Sequence, residues 1–134
     1  MIKVIHTSGK RKTSIARATL KAGNGLVRIN NILIDFVHPK MSRLKLREPL
    51  MLAGDVSTKV DIDINVAGGG TSSQAEASRL AIAKALFGFT KNDKLKEVFL
   101  NYDRNLIVAD VRRKESAKPN RHGQARSKVQ KSYR

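Results

Sequence analysis

The sequence is poor in residues that many kinds of small-protein chemistry require. It contains no cysteine, which excludes a disulfide framework, a thiolate zinc site and a cysteine nucleophile. Aromatic residues make up only 4% of the chain, so base-stacking platforms for single-stranded RNA are not expected. No apolar run has the length needed to cross a bilayer. The first twelve residues lack an apolar stretch behind their charges, so no signal peptide is predicted.

Acidic residues are also scarce. Lys and Arg number 27 against 11 Asp and Glu, which gives a net charge of +16 over 134 residues. This length predicts one domain, and this charge attracts polyanions. Nucleic acid is favoured over an anionic membrane surface, because each phosphate that a Lys or Arg neutralises releases counterions.

Half of the net charge lies at the carboxyl end. Residues 111–134 carry nine Lys and Arg and one Glu, while residues 1–110 carry 18 basic and 10 acidic side chains, so each part has a net +8. We therefore predict a folded body over residues 1–110 and a basic, extended tail over residues 111–134 that is disordered without RNA. A tail that serves only solubility or localisation is the alternative. The residues of the tail expected to bind RNA are Arg112, Arg113, Lys114, Lys118, Arg121, His122, Gln124 and Arg126.

The body is predicted to be α+β, with its strands mostly before its helices. Residues 12–22 and 26–29 flank Gly23-Asn24-Gly25 and predict a β-hairpin, and residues 2–5 predict a further strand. Residues 59–66 alternate between apolar and polar side chains, which predicts a half-buried strand. Residues 40–52 predict helical turns that break near Pro49.

Two helices are expected after the glycines at 68–70. Ser73 and Glu76 match a capping box, followed by a helix that buries Leu80, Ala83 and Phe87 and ends near Gly88. Asn92 or Asp93 is expected to cap a second helix. The side chains of that helix expected to face inward are Leu95, Val98 and Phe99, and residues 106–108 are expected to be extended.

The loop at residues 68–73 has three interpretations. Glycine permits a tight turn or a close backbone approach, and the free amides at a helix start bind RNA phosphate or a nucleotide. The spacing matches neither common nucleotide-binding glycine motif. Gly69, Gly70 and Thr71 are kept as candidates for RNA contact.

Other candidates for chemistry are few. Asp61 and Asp63 share one strand face and have the residue type for acid–base work or a metal, but solvated positions on a half-buried strand explain them more simply. The three histidines have no metal-ligand spacing. The basic run Lys10, Arg11 and Lys12, with Arg17 and Arg28 beyond it, is expected to contact phosphates. No catalytic residue, metal or cofactor is predicted.

Three stretches together resemble one family. They are Gly9-Lys10-Arg11-Lys12 with Ala16-Arg17-Ala18-Thr19, Gly23, Gly25, Val27 and Asn30; the run of residues 68–86, GGGTSSQAEASRLAIAKAL; and the ending from Ala125-Arg126 to Gln130-Lys131-Ser132-Tyr133-Arg134. This combination is similar to universal small-subunit ribosomal protein number nine. The final Lys-Ser-Tyr-Arg favours its archaeal or eukaryotic form.

The resemblance implies a fold like the second domain of small-subunit protein five, a β-sheet packed on helices with a left-handed crossover. It also implies a structural constituent of the small ribosomal subunit, cytoplasmic and ribosome-bound. Its partners would be the ribosomal RNA of the head, other head proteins and the transfer RNA of the peptidyl site. Gln74 and Arg79 join the ribosomal-RNA candidates on this basis. The transfer-RNA candidates are Lys128, Lys131, Ser132, Tyr133 and Arg134.

Two rival functions are set against this expectation. A small-molecule kinase shares this type of fold and a Gly/Ser-rich loop, but the chain looks too short for a second substrate-binding domain. A protein that compacts DNA without sequence preference is the other rival, and affinities for duplex DNA and folded RNA at a stated salt concentration separate it from a ribosomal protein.

Overall fold

The computed structural model describes residues 3–126, 132 and 133. The strands are β1 (Ile5–Arg11), β2 (Ser14–Ala22), β3 (Val27–Ile29), β4 (Ile32–Leu33) and β5 (Val60–Ala67). The helices are α1 (Lys40–Ala53), α2 (Thr71–Thr90) and α3 (Asp93–Tyr102), and single 3₁₀ segments span Ile34–Phe36, Gly54–Lys59 and Arg104–Leu106. The predicted α+β class is confirmed.

The five strands form one mixed sheet in the order β1-β2-β5-β3-β4. Strand β5 runs antiparallel to β2 and parallel to β3. The predicted hairpin between β2 and β3 is therefore wrong, because β5 lies between them. Strand β5 has an apolar face of alternating Val and Ile, which is best buried at the centre of the sheet. The loop of residues 23–26, which joins β2 to β3, crosses the start of β5.

Two contacts hold that loop in place. Gly23 N donates to the carbonyl of Lys59 at 3.0 Å, and Gly25 N donates to the carbonyl of Val60 at 3.1 Å. Gly25 has a φ of 89°, a backbone conformation that favours glycine. The Gly-Asn-Gly sequence thus serves a crossing loop rather than a tight hairpin turn.

The hairpin of the sheet is instead β1 with β2. Arg11 faces Ser14 in the register, so Lys12 and Thr13 form a two-residue turn, with Lys12 at a φ of 53°. The further strand predicted at residues 2–5 begins only at Ile5 and continues to Arg11. The basic run therefore lies within the strand and the turn of this hairpin.

The helices cover one face of the sheet. Helix α2 packs against β1, β2 and β5, and α1 packs against α2. The predicted alternation of β5 is confirmed, since Val60, Ile62, Ile64 and Val66 are all buried. The buried face of α2 is rich in alanine, which lets the helix lie close to the strands. The largest fully buried side chains of this core are Phe99, Leu20, Leu46, Ile62, Ile64, Ile82, Leu86 and Leu106.

Helix α1 continues through Pro49, so the break predicted there is wrong. Proline removes the backbone hydrogen bond to the residue four positions earlier. Here Leu46 and Pro49 are both buried, and the packing of α1 on α2 outweighs the lost bond.

Helix α2 begins one turn away from the predicted capping box. Its N-cap is Gly70, and the hydroxyl of Ser73, already inside the helix, accepts from Gly70 N at 3.1 Å. Glu76 pairs with basic side chains and not with the backbone, so the predicted box is wrong. The helix ends at Thr90, beyond Gly88. Leu80 and Ala83 are buried as predicted, whereas Phe87 is half-buried.

Helix α3 agrees with the prediction in part. Asn92 caps it, since its Oδ1 accepts from Lys94 N at 3.0 Å, and Leu95 and Phe99 are buried. Val98 is 43% exposed, so its predicted inward position is wrong. The extended run predicted at residues 106–108 is also wrong, because Leu106 closes a 3₁₀ segment.

Candidate nucleic-acid interface

The second face of the sheet carries polar and basic side chains and is not covered by the helices. Alternation along the strands brings Lys10, Arg17, Lys21 and Arg28 to this open face, together with Asp63. In the register, Arg17 lies between Ser8 and Asn65, and Arg28 lies beside Asp63. Arg17 and Arg28 are exposed. The open face therefore presents cations to solvent, and their predicted contact with phosphates stays a prediction.

The glycine loop packs directly on the turn of the β1–β2 hairpin. A Cβ on Gly68 would lie 2.5 Å from the carbonyl oxygen of Thr13, and one on Gly69 would lie 2.2 Å from Ser14 Oγ. Ser14 Oγ also donates to the carbonyl of Gly68 at 2.8 Å. The turn and close-approach interpretation explains Gly68 and Gly69, and this packing sets the loop beside Lys12.

The chain leaves the body at the same end of the sheet. The carboxylate of Asp110 accepts from Arg112 Nη2 at 2.7 Å and from Arg112 N at 3.0 Å, and Arg11 Nη2 lies 3.6 Å from it. These hydrogen bonds from Arg112, with the charge of Arg11, hold the pKa of Asp110 far below its ordinary value. The start of the predicted tail is thereby fixed beside the hairpin.

Three groups of candidates that are distant in the sequence thus meet. We call this cluster the basic end of the sheet. Its members are Lys10, Arg11, Lys12, Gly69, Gly70, Thr71 and Arg112. Gln74 belongs beside it, because its Nε2 donates to the carbonyl of Gly68 at 3.0 Å. Arg113 and Lys114 follow as exposed residues.

Comparison with known proteins gives a family for this arrangement. A family model described as ribosomal protein S9/S16 matches residues 9–134. The chain belongs to the ribosomal protein S9/S16 family. Small ribosomal subunit protein uS9 of Methanococcus vannielii is 48% identical over 134 residues, covering 99% of this chain and all of the relative. Proteins of the same description from Methanococcus maripaludis and Methanothrix thermoacetophila are 50% and 47% identical, with the same coverage.

Family membership confirms several predictions. The relatives come from archaea, one of the two branches that the carboxyl-terminal sequence favours. A member of the S9/S16 family is a structural, RNA-binding protein of the small ribosomal subunit and not an enzyme, and it works on the ribosome in the cytoplasm. Within the described part of the chain, no helix has the length and apolar character to cross a membrane.

Two predicted RNA-binding residues of this family member are engaged in ion pairs on the helix side. Arg79 Nη1 donates to Asp103 at 2.9 Å, and its Nη2 lies 2.5 Å from Glu48. Arg11 Nε donates to Glu76 at 2.8 Å. The side chains of Arg79 and Arg11 are only 12% and 16% exposed. RNA contact by either stays a prediction, and their ion pairs indicate a structural role.

These pairs line a polar cavity of about 350 Å³ between β1, α1, α2 and the segment that follows α3. Burial raises the pKa of Glu76, but hydrogen bonds from Lys45 and Arg11 outweigh it, so that pKa lies below its ordinary value. Burial likewise raises the pKa of Asp103, and bonds from Asn105 N and Arg79 outweigh it. The sequence gives one signal for this network: Glu48, Glu76 and Asp103 lie in helices and at element ends, whereas Asp61 and Asp63 lie at open-face positions of β5.

The predicted acidic candidates have different environments. The carboxylate of Asp61 accepts from Asn24 N at 2.9 Å and from Leu26 N at 3.0 Å, and these bonds, that from Leu26 first, lower its pKa. It therefore fixes the crossing loop, a role that sequence reasoning missed. Asp63 is exposed. Within residues 3–126, 132 and 133, no group of three His, Asp or Glu side chains is arranged to hold a metal.

The described part of the predicted tail is exposed and contains an ion pair of its own. Arg126 Nε and Nη2 donate to Glu115 at 2.7 and 2.5 Å, and Lys118 N donates to the carbonyl of Gln124 at 3.3 Å. Residues 115–126 thus form a loop that includes Arg121 and His122. Of the transfer-RNA candidates, Ser132 and Tyr133 are exposed. Lys128, Lys131 and Arg134 lie outside the described residues.

Proposed function

We propose that this chain binds the ribosomal RNA of the small-subunit head through the basic end and the open face of the sheet. Its tail then extends to the anticodon arm of transfer RNA in the peptidyl site. One observation supports this most strongly: the hairpin turn, the glycine loop and the start of the tail at Arg112 meet at one end of the sheet. A cationic surface continuous with the tail is what a phosphate backbone requires.

The cations have two roles in this proposal. Lys10, Lys12, Arg17 and Arg28 are exposed and bind phosphates. The described strands bring no Phe, Tyr or Trp side chain to the open face, so the contacts recognise backbone position and shape and not base stacking on large aromatic rings. Arg11 and Arg79 instead hold β1, α1 and α2 together, because leaving their carboxylate partners unpaired would be costly.

The salt dependence of RNA binding tests the assignment of the open face. Replacing Arg17 and Arg28 with Gln removes two proposed phosphate contacts, which lowers the slope of log K against log salt by about 0.7–0.9 for each contact. Filter binding or fluorescence anisotropy with small-subunit RNA measures the slope. Lys94→Gln, an exposed change on α3, is the matched control. Equal slopes for all variants contradict the proposal.

A truncation tests the role of the tail. Deleting residues 126–134 leaves the body folded, because the described core lies before residue 110, and weakens the retention of peptidyl-site transfer RNA by small subunits. Thermal unfolding and filter retention of labelled transfer RNA measure the two effects. Unfolding of the truncated protein, or unchanged retention, would refute this division between body and tail.

We infer also that the fold is like the second domain of small-subunit protein five. The connection from β3 to the parallel strand β5 passes through β4 and α1. The family resemblance implies that the crossover at this position is left-handed. Such crossovers are right-handed in nearly all proteins. A superposition of the two domains by equivalent strands tests this, and a right-handed connection would rule it out.

A further inference from the structure

A groove lies next to the edge strand β4 and extends to Thr71 and Gln74 at the start of α2, beside the basic end. Its volume is about 310 Å³. Ile29, Ile32 and Val66 form its sheet side, Phe36 and Val37 form its rim, and Leu46 of α1 forms part of its helix side. Helix α2 adds Thr71, Gln74, Ala75 and Ser78, so the groove is bounded by the sheet, the 3₁₀ segment, α1 and α2, and most of its exposed lining is apolar.

The lining of this groove has no charged side chain. None of its residues is Lys, Arg, Asp or Glu, although the chain has a net charge of +16. A surface for RNA phosphates requires cations. The polar cavity between β1, α1 and α2, by contrast, is lined by several charged residues. By electrostatic complementarity, the partner of this groove is neutral.

Large apolar side chains around the groove are open to solvent. Phe36 is 68% exposed and Ile32 is 51% exposed, and the nearby Met41 of α1 is 66% exposed. Exposed apolar patches of this kind, with aromatic and methionine side chains, are typical of protein–protein interfaces. A phosphate-binding face does not need them.

The edge of the sheet adds a second feature. Among the described residues, β4 pairs only with β3, so its outer backbone groups have no strand beside them. Such an edge is a template for an added strand, and extended peptides bind in this way with alternate side chains in pockets.

We propose that β4 and this groove dock an extended segment of another protein of the small subunit. The segment lies along β4 and inserts an apolar side chain beside Phe36. The inference rests on the proposed assembly of the chain into the subunit head, but not on which of its cations bind RNA.

Photo-crosslinking in assembled small subunits tests the proposal. p-Benzoylphenylalanine is placed at Phe36 of the full chain and, in a second variant, at Ser8, an exposed residue of the open face. After irradiation, nuclease digestion and mass spectrometry identify what is attached. We expect position 36 to crosslink to one protein segment with apolar residues, and position 8 to crosslink to RNA.

The outcomes separate the two proposals. Attachment of position 36 to RNA, or no product at position 36 while position 8 reacts, would overturn the docking site. A failure of position 8 to reach RNA contradicts the function proposed for the open face, whereas a protein product at position 36 still supports the groove.

A competition assay covers the case in which the bulky probe itself blocks docking. Phe36→Ala and Ile32→Ala compete with the unlabelled chain for subunits that lack it. We expect each to be incorporated about tenfold less well, the effect of losing one well-buried apolar side chain. Met51→Ala, at a residue of α1 that is 78% exposed and outside the groove, should compete normally. Equal incorporation of all three would overturn the proposal.

Discussion

Gly9 offers the sharpest test of how the basic hairpin is held on the helices. It lies in β1 directly before Lys10, and a Cβ placed on it would lie 2.0 Å from the carbonyl oxygen of Ala77 and 2.9 Å from Ala81 N. Both atoms belong to the backbone of α2, so no side-chain rotation relieves the clash. We therefore predict that Gly9→Ala is strongly destabilising.

The size of the effect follows from the geometry. A carbon and a carbonyl oxygen approach to about 3.3 Å at closest, so β1 and α2 must separate by roughly 1.3 Å, the difference from the clash distance. Overpacking of this kind costs about 1–3 kcal/mol. The separation also weakens the hydrogen bond from Thr7 Oγ1 to the carbonyl of Ala81, now 2.9 Å long, which adds about 0.5–1.5 kcal/mol. The expected loss is about 1.5–4.5 kcal/mol.

Urea unfolding followed by circular dichroism measures this loss. Gly88→Ala is the matched control, because Gly88 is inside α2 and its added Cβ would lie 3.4 Å from Ile5 Cγ2, an ordinary contact. Removing a glycine from a helix stabilises by about 0.5–1 kcal/mol, so the two substitutions should have opposite signs. A Gly9→Ala variant within about 0.5 kcal/mol of the parent, the usual range for a neutral surface change, would refute the close-approach argument.

Three further predictions concern the carboxylates. Because the folded pKa of Glu76 lies below its ordinary value of 4.5, its stabilisation is present above pH 4.5 and is lost as the pH falls through the folded pKa. Glu76→Gln should therefore lose less stability between pH 6 and pH 3 than the parent, as measured by urea unfolding at each pH. Asp110→Asn should release the start of the tail from Arg11 and the hairpin. A spin label is attached at Ala117→Cys, which gives this chain without cysteine a single thiol, and the paramagnetic relaxation enhancement at Lys12 should weaken in the Asp110→Asn variant. An unchanged enhancement would contradict the role of Asp110 in holding the tail. Asp61→Ala should make the amides of Asn24 and Leu26 exchange several-fold faster, whereas Asp63→Ala should not.

Periodicity predicted those elements of the fold whose burial is decided locally. Strand β5 alternates strictly, and α3 has both a capping residue and two inward apolar side chains, so each carries its own signal. Strand order has no such signal. The sequence near Gly23 is compatible with a hairpin, and only the competition for the centre of the sheet, won by the apolar face of β5, decides that β2 and β3 separate. Pro49 is a similar case, because tertiary packing overrides a local preference.

The candidate site was predictable in its charge but not in its geometry. Composition and motifs indicate that Lys10, Lys12, Arg17 and Arg28 are available to an anion. They do not indicate that the glycine loop packs on Thr13 and Ser14, or that Asp110 ties the tail to the same place. These contacts join residues about 50 to 100 positions apart in the chain, and such pairings follow from the topology and not from spacing along the sequence.

The placement of the few carboxylates explains how this chain combines a stable body with a large positive charge. A chain at +16 repels itself when it folds, and acids on the helix side offset that repulsion where the backbone is most compact. Glu48, Glu76 and Asp103 surround Arg79, Arg11 and Lys45, so those cations stabilise the body. The open face keeps Arg17 without an ion pair among the described residues, at a modest cost because water screens it. Charge is thus neutralised within the fold where elements meet and left available where RNA is proposed to bind. Adding an acid to the open face should therefore impair RNA affinity far more than stability, and Asn65→Asp, beside Arg17 in the register, is the substitution that measures this difference.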